Sequence, residues 1–237
     1  CFPVQAAHGH LVELMRKKPK YILLPNIVNE EAPSSSIEAF ICPWSQTVPL
    51  VVKQTPAFRE IKNQILSPNV HFREGKEFVK RRLRKEFSFL GITAKENHFA
   101  VENAYKTQAE FRNKMIEVGR RALEEIKASG ESSIVLLGRP YNLYDPGLNL
   151  NIPTKLRDIY GVNVIPMDFL PIDEVDITSV NDHMFWNYGR RILQAAKFTK
   201  KYEKFHIIYI SNFKCGPDSY IRHYVEEASG KPFLFLQ

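Results

Sequence analysis

The sequence predicts an α/β fold, a parallel sheet covered by helices on both faces, with a helix-rich part ahead of it. Three observations predict this. From Ser133 onward, short wholly apolar segments alternate with helical ones, the pattern of strands buried on both faces. Before about residue 130 the chain carries long helical periods and few strand-length apolar runs. The composition is ordinary for a globular protein, 44% hydrophobic and 25% charged over 237 residues, which excludes disorder, collagen and low complexity as descriptions of the whole chain.

The elements follow in order. Val4–Lys18 places Val4, Ala7, Leu11, Leu14 and Met15 at helical spacing. Tyr21–Leu24 reads as a short buried strand ending at Pro25, and Asn26–Ile37, with its glutamates, Pro33 and serines, as a loop. Ser45–Lys53 fits either a helix, capped by Ser45, or a strand, favoured by Val48, Val51 and Val52. Pro56 opens a helix to about Ile65, and Gly75–Leu90 and Lys95–Ala128 are long amphipathic helices. In the second of these, Phe99, Ala100, Asn103, Phe111, Met115, Val118, Ala122 and Ile126 keep the period, and Ser129-Gly130 stops it. Then come a strand at Ser133–Leu137, a turn-rich loop at Gly138–Leu150, and a helix at Pro153–Tyr160. A strand at Val162–Ile165 and a helix at Phe185–Thr199 follow, then a strand at His206–Ile210, a helix at Ser219–Ser229 and a strand at Pro232–Leu236. Two parts are expected: residues 1–130, the helix-rich remnant of an α/β lobe, and residues 131–237, a four-strand parallel α/β lobe, meeting at Ala128–Ser132. The chain opens on Cys1 and closes on an apolar run at Phe233–Leu236, so it is expected to be a fragment cut at both ends.

The net charge is +7, and the excess is local: Arg73, Lys76, Lys80, Arg81, Arg82, Arg84 and Lys85 lie close together. Such a run is first a solvated helix face and second a docking surface. No aromatic residue interrupts Lys80–Lys85 and no nucleic-acid module is visible, so nucleic acid is not an expected partner. The longest apolar runs, Tyr21–Pro25 and Phe233–Leu236, are far below the ~20 residues a bilayer span needs, and no signal peptide is visible. No membrane partner is expected. P-loop, dinucleotide, nucleophile-elbow and zinc-protease motifs are absent.

Three cysteines, Cys1, Cys42 and Cys215, cannot all pair, and a reducing, cytoplasmic setting is expected. Each precedes a regular element by a short turn, with proline within two residues: Cys1-Phe2-Pro3, Cys42-Pro43 and Cys215-Gly216-Pro217. Cys215 follows a strand, at the sheet edge where parallel α/β proteins bind ligands, and the start of the next helix there would favour a thiolate. The other loop at that edge begins Gly138-Arg139-Pro140-Tyr141-Asn142. Three thiols in one kind of context point to one shared site. Zinc is one candidate, with His8 or His10 as fourth ligand, and an iron–sulfur cluster with one open iron is the other.

Cys1-Phe2-Pro3 with His8-Gly9-His10, Cys42-Pro43, Gly138-Arg139-Pro140-Tyr141-Asn142 and Phe213-Lys214-Cys215-Gly216-Pro217-Asp218-Ser219 together resemble a known family. It is the CoA enzyme activase-related uncharacterised domain, similar to subunits of 2-hydroxyacyl-CoA dehydratases and of double-cubane-cluster reductases. The resemblance implies Rossmann-like three-layer lobes holding a 4Fe-4S cluster on Cys1, Cys42 and Cys215, with the fourth iron open. It implies an ATP-hydrolysing activator as partner, which injects one low-potential electron, and an acyl-CoA or another small molecule as substrate, dehydrated or reduced through a radical. It also implies a two-subunit assembly, so a dimer is expected. Arg139 and Tyr141 are the candidate catalytic residues, with Lys214 and Trp44 as further candidates and Ser219 expected only as a helix N-cap. A non-catalytic docking or regulatory domain of an activator-fused chain is the alternative.

Overall fold

The computed structural model describes residues 2–32 and 37–237. They form a mixed α/β chain whose strand pairs are parallel. The chain divides into two compact units: residues up to Gln108 together with Phe185–Asn187, and Ala109–Met184 together with Tyr188–Gln237.

The first unit begins with helix α1 (Phe2–Arg16) and the two-residue strand β1 (Ile22–Leu23). Strand β2 (Asn26–Asn29) occupies part of the expected loop. The ambiguous segment is helix α2 (Pro43–Gln54), with proline in its first turn. Val48 and Val52 lie one turn apart and pack on the core of Leu11, Ile22, Phe58 and Ile65, and that burial decides between helix and strand. Residues Pro56–Gln64 wind as a 3₁₀ helix rather than an α-helix. Two further strands, β3 (Ile65–Leu66) and β4 (Asn69–His71), have no sequence counterpart. β3 pairs with β1 and β4 with β2. In the second pair the Asn26 side-chain amide donates to Asn69 Oδ1 at 2.8 Å. Phe40 forms a bridge with Trp186, which is why Phe185–Asn187 belong to this unit.

Helix α3 (Lys76–Glu86) carries the basic run. Arg73 pairs with Glu38, Lys76 with Glu102, Lys80 with Glu77 and Glu102, and Arg82 with Glu86. Four of the seven basic residues of the run are thus seen ion-paired, three of them on this helix. Hydrogen bonds from Lys76, and next from Lys80, hold the Glu102 carboxyl down to about 2. Its folded value lies below the unfolded one of ~4.3, so its contribution is present above that pH and is lost as pH falls toward about 2. Glu102→Gln is expected to flatten the acid side of the melting-temperature profile between about pH 4 and pH 2 relative to the parent protein, measured by thermal melts at low salt.

Helix α4 (Ala94–Ser129) runs through both units. The predicted apolar stripe is only partly its buried face. Phe99 and Phe111 are 67% and 59% exposed, whereas Val101, Gly119, Leu123 and Ile126 are buried. Helical periodicity allows either face, and the packing partners of each end choose. Val101 packs with Val70 and Val79 in the first unit. Gly119, in the second, presses against the Phe169 carbonyl, where an added Cβ would lie 1.8 Å from the oxygen. Gly119→Ala is therefore expected to cost about 3 kcal/mol or more and to lower the melting temperature on the order of 10 °C. An unchanged melt would show that this contact yields freely.

The second unit holds a four-stranded sheet: β5 (Ser133–Gly138), β6 (Asn163–Pro166), β7 (Phe205–Ile210) and β8 (Phe233–Leu236). Its helices are the short α5 (Pro140–Tyr144), inside the expected loop, then α6 (Ile152–Tyr160), α7 (Asn187–Thr199) and α8 (Gly216–Ser229). The strand order is β6-β5-β7-β8, all parallel. Val135, Leu136 and Leu137 are consecutive and fully buried, as are Ile207–Ile210 nearly so, which puts cover on both faces of the central strands. From β5 the chain moves to one side to make β6, returns to make β7 on the other side, and continues outward to β8. The connections diverge between the carboxyl ends of β5 and β7, the switch point where such sheets leave a crevice. Among the described residues no helix is long and apolar enough to cross a membrane.

Candidate functional site

Both loops singled out in the sequence start at this switch point, one at the end of β5 and one at the end of β7. Gly138, the last residue of β5, has φ of +153°, and a Cβ there would meet the Ile210 carbonyl oxygen at 2.5 Å. Glycine is what lets the two strand ends approach. Two amides then tie the loops together. The Asn142 amide donates to the Ile210 carbonyl at 3.2 Å, and the Asn212 amide donates to Asn142 Oδ1 at 2.7 Å.

Arg139 and Asp218 form the buried centre of this edge, 6% and 1% exposed. Arg139 Nε donates to Asp218 Oδ1 at 3.1 Å, and Nη2 lies 2.9 Å from the same oxygen. Ser211 Oγ donates to Asp218 Oδ2 at 2.7 Å. Burial alone would push the Arg139 guanidinium down, but the Asp218 carboxylate beside it outweighs this and holds it above its ordinary value. Burial, and next the Asp218 carboxylate, push the Tyr209 hydroxyl beside them well above its ordinary value. Tyr141, the other candidate catalytic residue, is half-buried in the first turn of α5.

Cys215 is the N-cap of α8, with proline in the first turn, and Cys42 is the N-cap of α2, likewise followed by proline. Both thiols are free and half-buried. Cys1 lies outside the described residues, and helix α1 starts at the next position. The expectation of a thiolate at Cys215 is corrected. Burial, and after it the Asp218 carboxylate one turn along, push the thiol up to about 11, so without a metal it is protonated. Ser219 is also corrected, since the cap is Cys215 and Ser219 Oγ instead donates back to the Cys215 carbonyl at 2.8 Å. Lys214, just ahead of the cysteine, sits in the left-handed region at φ 64° with its ammonium over the exposed Phe213 ring. Trp44 is exposed in the first turn of α2.

Sequence reasoning placed Ser211 and Asp218 on a loop at this edge but missed their bonds to each other and to Arg139. It also missed a second polar group at the end of β6, where Asp168 accepts from the Tyr144 hydroxyl at 3.1 Å and from Arg191 at 3.3 Å. The spacing Cys215-x-x-Asp218, an acid in the first turn of a helix, was the one local signal available.

Among the described residues no three His, Cys, Asp or Glu side chains group as a metal site. The zinc alternative calls for His8 or His10 beside the three thiols. His8 Nδ1 instead lies 2.8 Å from the Val4 carbonyl, within its own helix, with its ring near Phe58.

Neither a curated protein nor a solved structure matches this chain. A family model does match, over residues 1–170, a span that includes Cys1, Cys42, Arg139 and Tyr141 and stops short of Cys215. By that match the chain belongs to the family of the CoA enzyme activase uncharacterised domain.

Proposed function

We propose that this domain is the iron–sulfur module of a 2-hydroxyacyl-CoA dehydratase- or activase-related protein, with Cys1, Cys42 and Cys215 as ligands of a 4Fe-4S cluster. The observation that carries the reading is the shared setting of the two described thiols. Each is free, half-buried and placed at a helix N-cap ahead of a proline, and one of them stands at the switch point of a parallel sheet. The donor set fits the group: thiolate is the preferred ligand of iron–sulfur clusters, and helix N-termini favour the negative charge. When bound, a cluster with one iron left open supplies a one-electron donor and a Lewis acid at one point.

The chain's own residues have distinct tasks in this reading. Cys215 gives up its proton on binding metal, and the backbone N–H groups at the start of α8 favour the resulting thiolate against the opposing Asp218 carboxylate. Tyr141, half-buried at the same edge, meets the substrate, an acyl-CoA or another small molecule. Arg139 acts from beneath, since its guanidinium is engaged by Asp218. The electron comes from an ATP-hydrolysing activator, and the setting is the reducing cytoplasm, consistent with the free Cys42 and Cys215. The alternative of a docking domain leans on the basic run, whose Arg73, Lys76, Lys80 and Arg82 are already paired with glutamates.

Anaerobic reconstitution of the intact chain with iron and sulfide tests the proposal. A visible chromophore that bleaches on reduction and yields an EPR signal is expected. Failure to take up iron and sulfide in stoichiometric amounts, in a protein folded by circular dichroism, would overturn it.

A further inference from the structure

We propose that Arg139 and Asp218 are positioning residues that hold the Cys215 ligand and, through their opposed charges, set the reduction potential of the cluster; the inference rests on the cluster reading above. Asp218 lies in the first turn of α8, whose N-cap is Cys215. One carboxylate binds two partners. Oδ1 takes Arg139, the first residue after β5, and Oδ2 takes Ser211, the first residue after β7. The first turn of α8 is thereby fastened to both strand ends at the switch point. The segment Asn212–Cys215 between them is closed at its start by Ser211 and at its end by the helix.

Stability alone does not account for two charges in this place. A buried ion pair is commonly no more stabilising than a well-packed apolar pair of the same shape. What the pair adds is a fixed field at the start of α8, where Asp218 stands in the first turn after the Cys215 cap and Arg139 lies 2.9 Å from its carboxylate. Water screens such a field little at groups this buried. An electron arriving on the cluster adds negative charge. The carboxylate opposes that charge and the guanidinium favours it, so the balance between them tunes how readily the electron is accepted.

The signs make the test specific. Asp218→Asn keeps shape and leaves Arg139 uncompensated, so the cluster should become easier to reduce. Arg139→Gln leaves Asp218 uncompensated, so the cluster should become harder to reduce. The double variant removes both charges while amides keep the contact, and it should return close to the parent value. The experiment reconstitutes all four proteins anaerobically and titrates them with a low-potential reductant at pH 8, following the EPR signal. Each single variant should change the reduced-to-oxidised ratio at fixed potential by about tenfold, or ~59 mV for a one-electron couple, in opposite directions. A merely structural pair would give shifts of the same sign or none, and that result overturns the inference while leaving the cluster in place. If one single variant does not fold, the sign of the shift in the other carries the test: harder reduction or no shift in Asp218→Asn, or easier reduction or no shift in Arg139→Gln, overturns the inference. If the parent protein takes up no cluster, the reading beneath fails first and takes the inference with it.

Discussion

Cys42→Ala and Cys215→Ala are each expected to abolish cluster uptake, with iron and sulfide falling to background while the fold persists. Three thiolates are the fewest that leave one iron of a four-iron cluster open, and removing one leaves two irons without a protein ligand. The fold should tolerate the change. Both cysteines are half-buried N-caps whose thiols are weak hydrogen-bonding groups, so alanine forfeits little there. Circular dichroism and thermal melts should therefore match the parent within about 1 kcal/mol. Metal analysis after mild reconstitution separates iron from adventitious zinc. A Cys42→Ala protein that kept the parent chromophore would remove Cys42 from the ligand set.

Asp218→Ala should be among the costliest single changes to stability, about 3–5 kcal/mol. The carboxylate is 1% exposed and is bound by Arg139 and Ser211. Alanine leaves a guanidinium buried without its counter-charge and a hydroxyl without its acceptor, and both desolvation penalties stay uncompensated. Chemical denaturation of the intact protein should show the midpoint of the second unit moving to lower denaturant. Arg139→Gln/Asp218→Asn should recover most of the loss, because two amides can bond each other and carry no charge. A loss below about 1 kcal/mol in Asp218→Ala would mean that water reaches Arg139 when the carboxylate is gone.

Much of the second unit was legible in the sequence. Ser133–Leu137, His206–Ile210 and Phe233–Leu236 are apolar runs of strand length bounded by turns, and each became a strand within a residue or two of its expected limits. The first unit was harder. β3 and β4 are two and three residues long, and neither carries a period that a reader can detect. They exist because β1 and β2, more than 40 residues earlier in register, offer backbone partners. The stripe on α4 was misjudged for a related reason. Periodicity reports that a helix is amphipathic, but Phe99 and Phe111 are exposed because the packing surfaces meet Val101 and Gly119 instead.

The sequence by itself determined the α/β class, the parallel sheet of the second unit, and the position of Cys42 and Cys215 in short turns ahead of regular elements. Those features depend on residues near one another in the chain: apolar runs, prolines and glycines that end one element and start the next. Only the tertiary structure decided that burial and the Asp218 carboxylate push the Cys215 thiol up, that Ser219 is no cap, and that Arg139 spends its charge on Asp218. The physical reason is separation. Arg139 and Asp218 are 79 positions apart, and a charge pair becomes strong only when the fold brings its members together and excludes water from both.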